Sequence, residues 1–411
     1  MTDRTGFLGD TSPGTVGHGA EEPVPWKEIC RVEERMRFVL AVSESDETFS
    51  ALCARFGISR KTGYKWVERY EELGVEGLNE GRPVARSCPH RMPSELLHQV
   101  VELRKEHPTW GPKKLRARLQ DVGVAGVPAA STIGDALKKH GLVRPRRRRV
   151  GVPMTVTPLA ETLHPNDTWC VDFKGHFMLG DKTRCHPLTM TDHVSRYLLK
   201  CEAVEKPDFV HVQPHFERAF REFGLPWRIR SDNGPPFATA GLGGLSELSV
   251  WWIRLGIEPE RIEPGEPQQN GRHERMHRTL QEETASPPSL TRLGQQRAFD
   301  CFRRVYNQER PHESLKMKPP ASVFVPSRRH MPEKPKSPEY PDTMAVKKLD
   351  DKGRLQIHRG KLFRVKLSKL LAREPIGMKP LDEDHWELFY GPVLIAELKI
   401  RSKEFRLEKR R

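Results

Sequence analysis

Trp227-Arg-Ile-Arg-Ser-Asp232-Asn-Gly-Pro-Pro-Phe237 is the stretch on which the fold turns. Trp227 and Ile229 alternate with polar residues, the pattern of a half-buried β-strand. Asn233-Gly234 and two prolines then stop the strand abruptly. Asp232 therefore stands at the carboxyl end of a strand, where open α/β sheets collect their ligands. Alone, an aspartate before Asn-Gly reads first as an ordinary turn residue. Two other stretches change that. Upstream, Asp167-Thr-Trp169-Cys-Val171-Asp172-Phe-Lys-Gly175 is a second alternating strand, with Asp172 among apolar and aromatic neighbours. Downstream, Pro264-Gly-Glu-Pro267-Gln-Gln-Asn270-Gly271-Arg-His-Glu274-Arg-Met-His277-Arg-Thr-Leu280 reads as a loop entering a helix. Asn270 is its expected N-cap, and Glu274 falls in the first or second turn. Three carboxylates from two strands and a helix can converge on one point. Hard divalent cations need such oxygen donors and keep open positions for water and phosphate.

Together, Trp169-x-x-Asp172-Phe-Lys-Gly, Ser231-Asp232-Asn-Gly and Pro267-x-x-Asn270-Gly-x-x-Glu274-Arg resemble the Asp, Asp and Glu motifs of retroviral-type integrases. The chain is most similar to bacterial insertion-sequence transposases that use this catalytic core. The resemblance implies a ribonuclease H-like sheet, with Asp172, Asp232 and Glu274 as catalytic residues holding two Mg²⁺ (or Mn²⁺) ions. It also implies 3′-end cleavage followed by strand transfer, and a homo-oligomer on DNA. One departure is that 41 residues (233–273) separate Asp232 from Glu274, more than the family usually has. The Gly- and Leu-rich run Ala240-Gly-Leu-Gly-Gly-Leu-Ser-Glu-Leu248 is expected to absorb the excess. Asp192, the main rival carboxylate, reads as structural, Asp167 as a turn residue, and Glu266 as a weak competitor of Glu274. His273 and His277 read as DNA-facing or surface residues rather than a metal pair.

Composition sets the bounds. With 411 residues, 36% hydrophobic and 30% charged, the chain is expected to form about two to four soluble domains. No apolar run reaches bilayer length and the N-terminus lacks a secretory segment, so a cytoplasmic protein with no membrane partner is expected. Cys30, Cys53, Cys88, Cys170, Cys185, Cys201 and Cys301 are scattered and never spaced Cys-x-x-Cys. They read as buried free thiols rather than disulfides or a zinc site. The net charge of +15 points to a polyanion, here double-stranded DNA. Residues 101–150 concentrate that charge, with thirteen Lys/Arg against four Asp/Glu.

The expected architecture is multidomain α plus α/β. Residues 1–24 read as a disordered tail and 25–80 as a helix–turn–helix domain. Gly57 suits its turn, Ser59 its second N-cap, and Ala51, Leu52, Ile58, Tyr64 and Val67 its core. Arg60, Lys61 and Lys65 face outward toward a major groove. Residues 90–143 read as a second helix–turn–helix, winged-helix-like module, with Pro112 in the first turn of one helix and Gly141 ending another. Lys113 and Lys114 are its DNA candidates. A basic linker, 144–159, carries Arg144, Arg146, Arg147, Arg148 and Arg149 along the phosphate backbone. The catalytic core spans 160–326, and Asn270, Arg272, His273 and Arg278 are its candidate DNA contacts. A Pro- and Lys-rich linker, 327–343, leads to a small β-barrel over 344–411. Two alternatives stay open: a metal-dependent nuclease that does not join strands, and an inactive, transposase-derived regulator that only binds DNA.

Overall fold

The computed structural model describes residues 31–79, 92–143, 159–263, 266–359, 361–401 and 404–408. The tail 1–24, the connection 80–91 and the whole arginine run Arg144 to Arg149 lie outside the described residues. The chain divides into two compact units, Met1–Arg91 and Met92–Arg411.

In the first unit, α1 (Arg31–Glu44), α2 (Phe49–Arg55) and α3 (Arg60–Leu73) enclose Phe38, Val39, Leu52, Cys53, Trp66 and Leu78. The caps are local and legible. Thr48 Oγ1 accepts from Ala51 N, Ser59 Oγ accepts from Thr62 N, and Gly57 takes φ +66° between α2 and α3. Gly63 lets α3 press against the other helices, because a Cβ there would lie 2.8 Å from Cys53 Sγ and 2.9 Å from Phe38. Two expected core residues are not inside. Ala51 is exposed, and Tyr64 is 60% exposed, stacked on Phe49 at 4.2 Å. Trp66 and the Gly63 contact occupy the inner face in their place.

The second unit opens with α4 (Ser94–Glu106), α5 (Pro112–Asp121) and α6 (Ala130–Lys139). Pro112 stands in the first turn of α5, and Gly141 at φ +70° follows α6. Val100, Trp110, Leu115, Leu119, Ile133 and Leu137 form the core of this module. Between residues 92 and 143 the described elements are the three helices alone, the helix–turn–helix part of the expectation, with no strand among them.

A mixed sheet follows. Its strands are β1 (Thr168–Phe173), β2 (Phe177–Met178), β3 (Arg184–Asp192), β4 (Leu198–Val204), β5 (Arg228–Ser231) and β6 (Glu258–Arg261). The main order is β4-β3-β1-β5-β6, with β2 on the start of β3. β3 runs antiparallel to β1 and β4, while β1, β5 and β6 run parallel. Helix α7 (Phe209–Phe223) makes the crossover, capped by Asp208 and stopped by Gly224 at φ +77°. Helices α8 (Glu247–Arg254), α9 (Gly271–Thr284) and α10 (Arg292–Gln308) complete the cover. Trp169, Val171, Phe216, Phe220, Ile229 and Trp252 share the central core.

The extra residues between Asp232 and α9 have a structural destination. Leu242 and Leu245 are buried with Val250 and Ile253 against Ile376, Leu388, Ile395 and Leu398. A Cβ on Gly243 would meet Ile395 at 2.8 Å. The Gly- and Leu-rich run is thus a platform for the C-terminal strands. Those are β7 (Ala345–Lys348), β8 (Arg354–Arg359), β9 (Lys361–Lys366), β10 (Pro375–Asp382), β11 (His385–Tyr390), β12 (Val393–Arg401) and β13 (Glu404–Glu408). They pair in an open path β13-β12-β11-β10-β7, beside a separate β8–β9 hairpin. Among the described residues β7 and β13 do not meet, so the expected small β-barrel is an open sheet that buries one face on the platform. The stretch read as a linker is also tied down. Ser327 N donates to Phe223 O (2.7 Å), the Arg329 guanidinium covers the Trp227 ring at 4.0 Å, and Tyr340 Oη donates to Pro375 O (2.8 Å).

Candidate active site

β1 pairs in parallel with β5, Thr168 opposite Arg228 and Cys170 opposite Arg230. Continued by two residues, that register sets Asp172 level with Asp232, which directly follows β5. Neighbouring strands lie about 4.8 Å apart, so the two carboxylates are adjacent by construction. The Asp-Asn-Gly turn fixes the second of them. Gly234 N donates to Asp232 Oδ1 at 3.2 Å, and Asn233 Nδ2 donates to Ile262 O at 2.7 Å, anchoring the turn beside β6. A Cβ on Gly234 would lie 3.1 Å from Asp232 Oδ2, so the glycine leaves that carboxylate its room.

The third carboxylate arrives on α9. That helix is held over β3 by two buried imidazoles one turn apart, His273 and His277. His273 meets Thr191 Oγ1 through Nδ1 (2.8 Å) and Thr189 Oγ1 through Nε2 (2.6 Å). His277 Nε2 lies 2.6 Å from the same Thr189 hydroxyl, and Thr189 Oγ1 donates to the Asp172 carbonyl at 3.1 Å. Thr189 is the cross-strand partner of Asp172. The contacts therefore register α9, and with it Glu274, on the strand pair that bears Asp172. Glu274 itself is exposed on the helix.

The electrostatics report the convergence. Burial first, then the charges of Asp232 and Glu274, push Asp172 up to about 7, against a backbone hydrogen bond and Lys174. Burial also raises Asp232, with the Gly234 N–H opposing it. Burial holds His273 down to about 3 and His277 well below the ordinary histidine range. Among the described residues no lysine or arginine forms an ion pair with Asp172, Asp232 or Glu274. Two half-buried aspartates beside an exposed glutamate, none of them ion-paired to a lysine or arginine among the described residues, fit a divalent cation, which removes the repulsion that raises Asp172. Asp172, His273 and His277 also place potential ligand atoms within 4.8 Å of one another.

The rival acids are accounted for. Asp192 is buried and accepts from Asn166 N (2.7 Å), Ser195 N (2.7 Å) and Ser195 Oγ (2.6 Å), a structural knot between β3 and β4. Asp167 accepts from Leu163 N and His164 N in a turn.

Several expected DNA contacts are placed otherwise. His273 is buried and fully engaged by threonines, so neither it nor the buried His277 is DNA-facing. Asn270 is buried, makes no side-chain cap and leaves Oδ1 without a hydrogen-bond partner. Lys113 pairs with Glu313 at 3.3 Å. Lys114 is half-buried and pushed down to about 8, by burial and then by Arg310. Both lysines sit where α5 meets the catalytic core rather than on an open face. Arg272 and Arg278 are exposed, and Arg272 is steadied by His193 Nε2 at 2.9 Å. In the first unit Arg60 and Lys61 are exposed, and Lys65 Nζ lies 4.5 Å from the Trp66 ring centroid. Sequence reasoning missed His193, Thr189 and Thr191. For the two threonines the local signal was their two-residue spacing in an apolar strand; His193 had none.

Cys53, Cys170, Cys185 and Cys201 are buried free thiols, while Cys301 is exposed, against expectation. No helix among the described residues is long and apolar enough to cross a membrane.

Comparison with known proteins accords with this geometry. The Integrase core domain family matches residues 162–267 and again 255–320, and Homeodomain-like domains match 31–79 and 62–137. An uncharacterized 31.7 kDa protein of insertion element IS407 from Burkholderia multivorans is 28% identical over 57% of this chain and 82% of its own length. An uncharacterized 39.2 kDa protein of insertion element IS476 from Xanthomonas euvesicatoria is 30% identical over 58% of this chain and 68% of its own. Among solved structures, the HTLV-2 integrase catalytic core domain in complex with magnesium is 19% identical, covering 39% of this chain and 97% of that one at a TM-score of 0.31. On these relatives and the core-domain matches, the chain belongs to the insertion-element transposases built on an integrase core.

Proposed function

We propose that the protein binds the ends of its mobile element, cleaves them at the 3′ side and joins them to target DNA, using two Mg²⁺ or Mn²⁺ ions held by Asp172, Asp232 and Glu274. The observation that carries this reading is the register that sets Asp172 level with Asp232 while Glu274 acts on the same carboxyl. The bound ions would stabilise charge on the attacking and leaving oxygens of an in-line displacement.

The chain's own residues supply the rest. In the first step a water oxygen bonds to phosphorus as the P–O3′ bond breaks, leaving a 3′-hydroxyl and a 5′-phosphate. In the second, that 3′-oxygen bonds to a target phosphorus and displaces the target's 3′-oxygen. One phosphodiester replaces another, so no energy source is needed, and neither step requires a serine or tyrosine nucleophile. Arg272, held by His193 one residue before the His273 anchor, would grip a phosphate beside the scissile bond.

DNA recognition is assigned to residues 25–80, with Arg60, Lys61 and Lys65 on α3. The first turn of α3 is basic and carries no acid, the reverse of what the helix dipole favours. A phosphate there would relieve that mismatch. The segments 90–143 and 144–159 would extend the grip, 160–326 would carry the chemistry, and 344–411 would contact DNA or another protomer. Two element ends imply at least a dimer on DNA, and a nucleoid-associated location follows from DNA binding.

The test incubates the full-length protein with duplexes bearing the element's own ends, a target plasmid and Mg²⁺. Asp232→Asn and Glu274→Gln should each lower nicking and joining at least about a thousandfold, about 4 kcal/mol of barrier, with end binding retained. Chelation should abolish both reactions and added Mn²⁺ restore them. Nicking by either variant at the wild-type rate would remove that residue from the site.

A further inference from the structure

The two imidazoles beside Asp172 are not equivalent. His273 has both ring nitrogens on threonine hydroxyls, at 2.6 and 2.8 Å, and offers no free donor atom. His277 uses only Nε2 in this way. Its Nδ1 faces Asp172 Oδ2 at 3.6 Å, beyond hydrogen-bond length.

Proton counting decides what that nitrogen carries. The Thr189 hydroxyl has one proton and touches three groups: the Asp172 carbonyl, His273 Nε2 and His277 Nε2. The carbonyl can only accept, so Thr189 donates to it and both imidazoles must donate through Nε2–H. Thr191 then donates to His273 Nδ1. With neutral rings, this is the only assignment that makes all four contacts hydrogen bonds. It leaves His277 Nδ1 with a lone pair, 3.6 Å from a carboxylate oxygen. Two acceptors facing each other repel unless a proton or a metal cation lies between them, and 3.6 Å is too long for the hydrogen bond a shared proton would make. Two donors on one ion, each at about 2.0–2.2 Å, stand about 3.0–3.5 Å apart, close to the distance found.

We infer that His277 Nδ1 is a direct nitrogen ligand of the metal ion held by Asp172, so that this site mixes imidazole with carboxylate. The inference rests on the three-carboxylate reading above and deepens it. It excludes His273 as a ligand despite its proximity, leaving it to orient His277 through Thr189. An imidazole ligand favours Mn²⁺ over Mg²⁺, because nitrogen donors suit the transition ions and Mg²⁺ prefers oxygen.

Pulsed electron paramagnetic resonance of the full chain titrated with Mn²⁺ reads the ligand directly, since a bound imidazole couples its ¹⁴N to the metal electron spin. The wild type should show that coupling and His277→Asn should lose it. The variant's Mn²⁺ affinity should fall about 10-fold or more, as for ligand-shell losses, and its Mg²⁺ affinity should fall less. Unchanged circular dichroism separates loss of a ligand from loss of fold. The His277 assignment fails if wild-type Mn²⁺ binding depends on Asp172 (lost in Asp172→Asn) yet shows no nitrogen coupling, or if the coupling survives in His277→Asn. Mn²⁺ binding that is absent, or indifferent to Asp172→Asn, would overturn the three-carboxylate reading as well.

Discussion

The helical modules α1–α3 and α4–α6 are alike in size, yet they direct their cations differently. On α3, Arg60 and Lys61 stand in solvent at the start of the helix. On α5, Lys113 pairs with Glu313, Arg118 with Glu309 at 3.4 Å, and Lys114 is half-buried near Arg310. At the same junction Arg310 bridges Glu283 at 2.9 Å and Thr109 at 3.1 Å, Thr109 also donates to Glu283, and Val305 of α10 packs on the second module's core. Charge density along a sequence therefore says little about where the charge goes. One module presents its basic face, and the other is fastened to the catalytic core by part of it.

The firmest way to break that contrast is to cut the fastening. Arg310 and Glu283 form a mostly buried pair, with side chains 7% and 20% exposed. Removing one partner of such a pair leaves the other charge desolvated, at a cost of about 3–5 kcal/mol. Arg310→Ala should lower the unfolding midpoint of the chain in a denaturant titration and raise proteolysis at the α5–α10 junction. A midpoint equal to the wild type would show the modules to be merely adjacent.

A smaller effect, in a different quantity, is expected on the other side. Arg60→Ala and Lys61→Ala should each weaken binding to an end-bearing duplex by about 1–3 kcal/mol. For a phosphate contact the slope of log affinity against log salt should also fall by about 0.9 per residue. Neither change should move the unfolding midpoint, because both side chains are exposed. Unchanged affinity in the double variant would take α3 off the DNA.

What was legible beforehand follows the range of the interactions. The cap Ser59, the turn residue Gly57 and the helix-ending Gly141 are local, and each stands where the sequence puts it. Asp172 and Asp232 were legible because each strand declares itself by alternation and its stop. Their alignment needed only the parallel register. The two histidines were misread because helical spacing does not say which face of α9 meets β3. That is decided by Thr189 and Thr191, more than eighty residues upstream. β10 does not declare itself in the sequence, because Pro375 and Pro380 interrupt its alternation. The structure tolerates Pro380 beside a register shift and Pro375 as the first residue of the strand. The open C-terminal sheet looked like a barrel because closure depends on whether two edges meet, and no single strand records that.

The smallest predicted effect tests the contrast most sharply. Lys113 belongs to the most basic part of the chain, and by sequence alone it is as good a phosphate contact as Lys61. Its partner Glu313 lies on the catalytic core, and the two side chains are 66% and 62% exposed. An ion pair that open to water contributes at most about 0.5 kcal/mol to stability. Lys113→Ala should therefore leave the unfolding midpoint nearly unchanged, and leave the salt slope of end binding unchanged too, because its charge is already directed at a carboxylate. The salt slope is the discriminating readout. A fall comparable to that of Lys61→Ala would mean that α5 leaves Glu313 when DNA arrives.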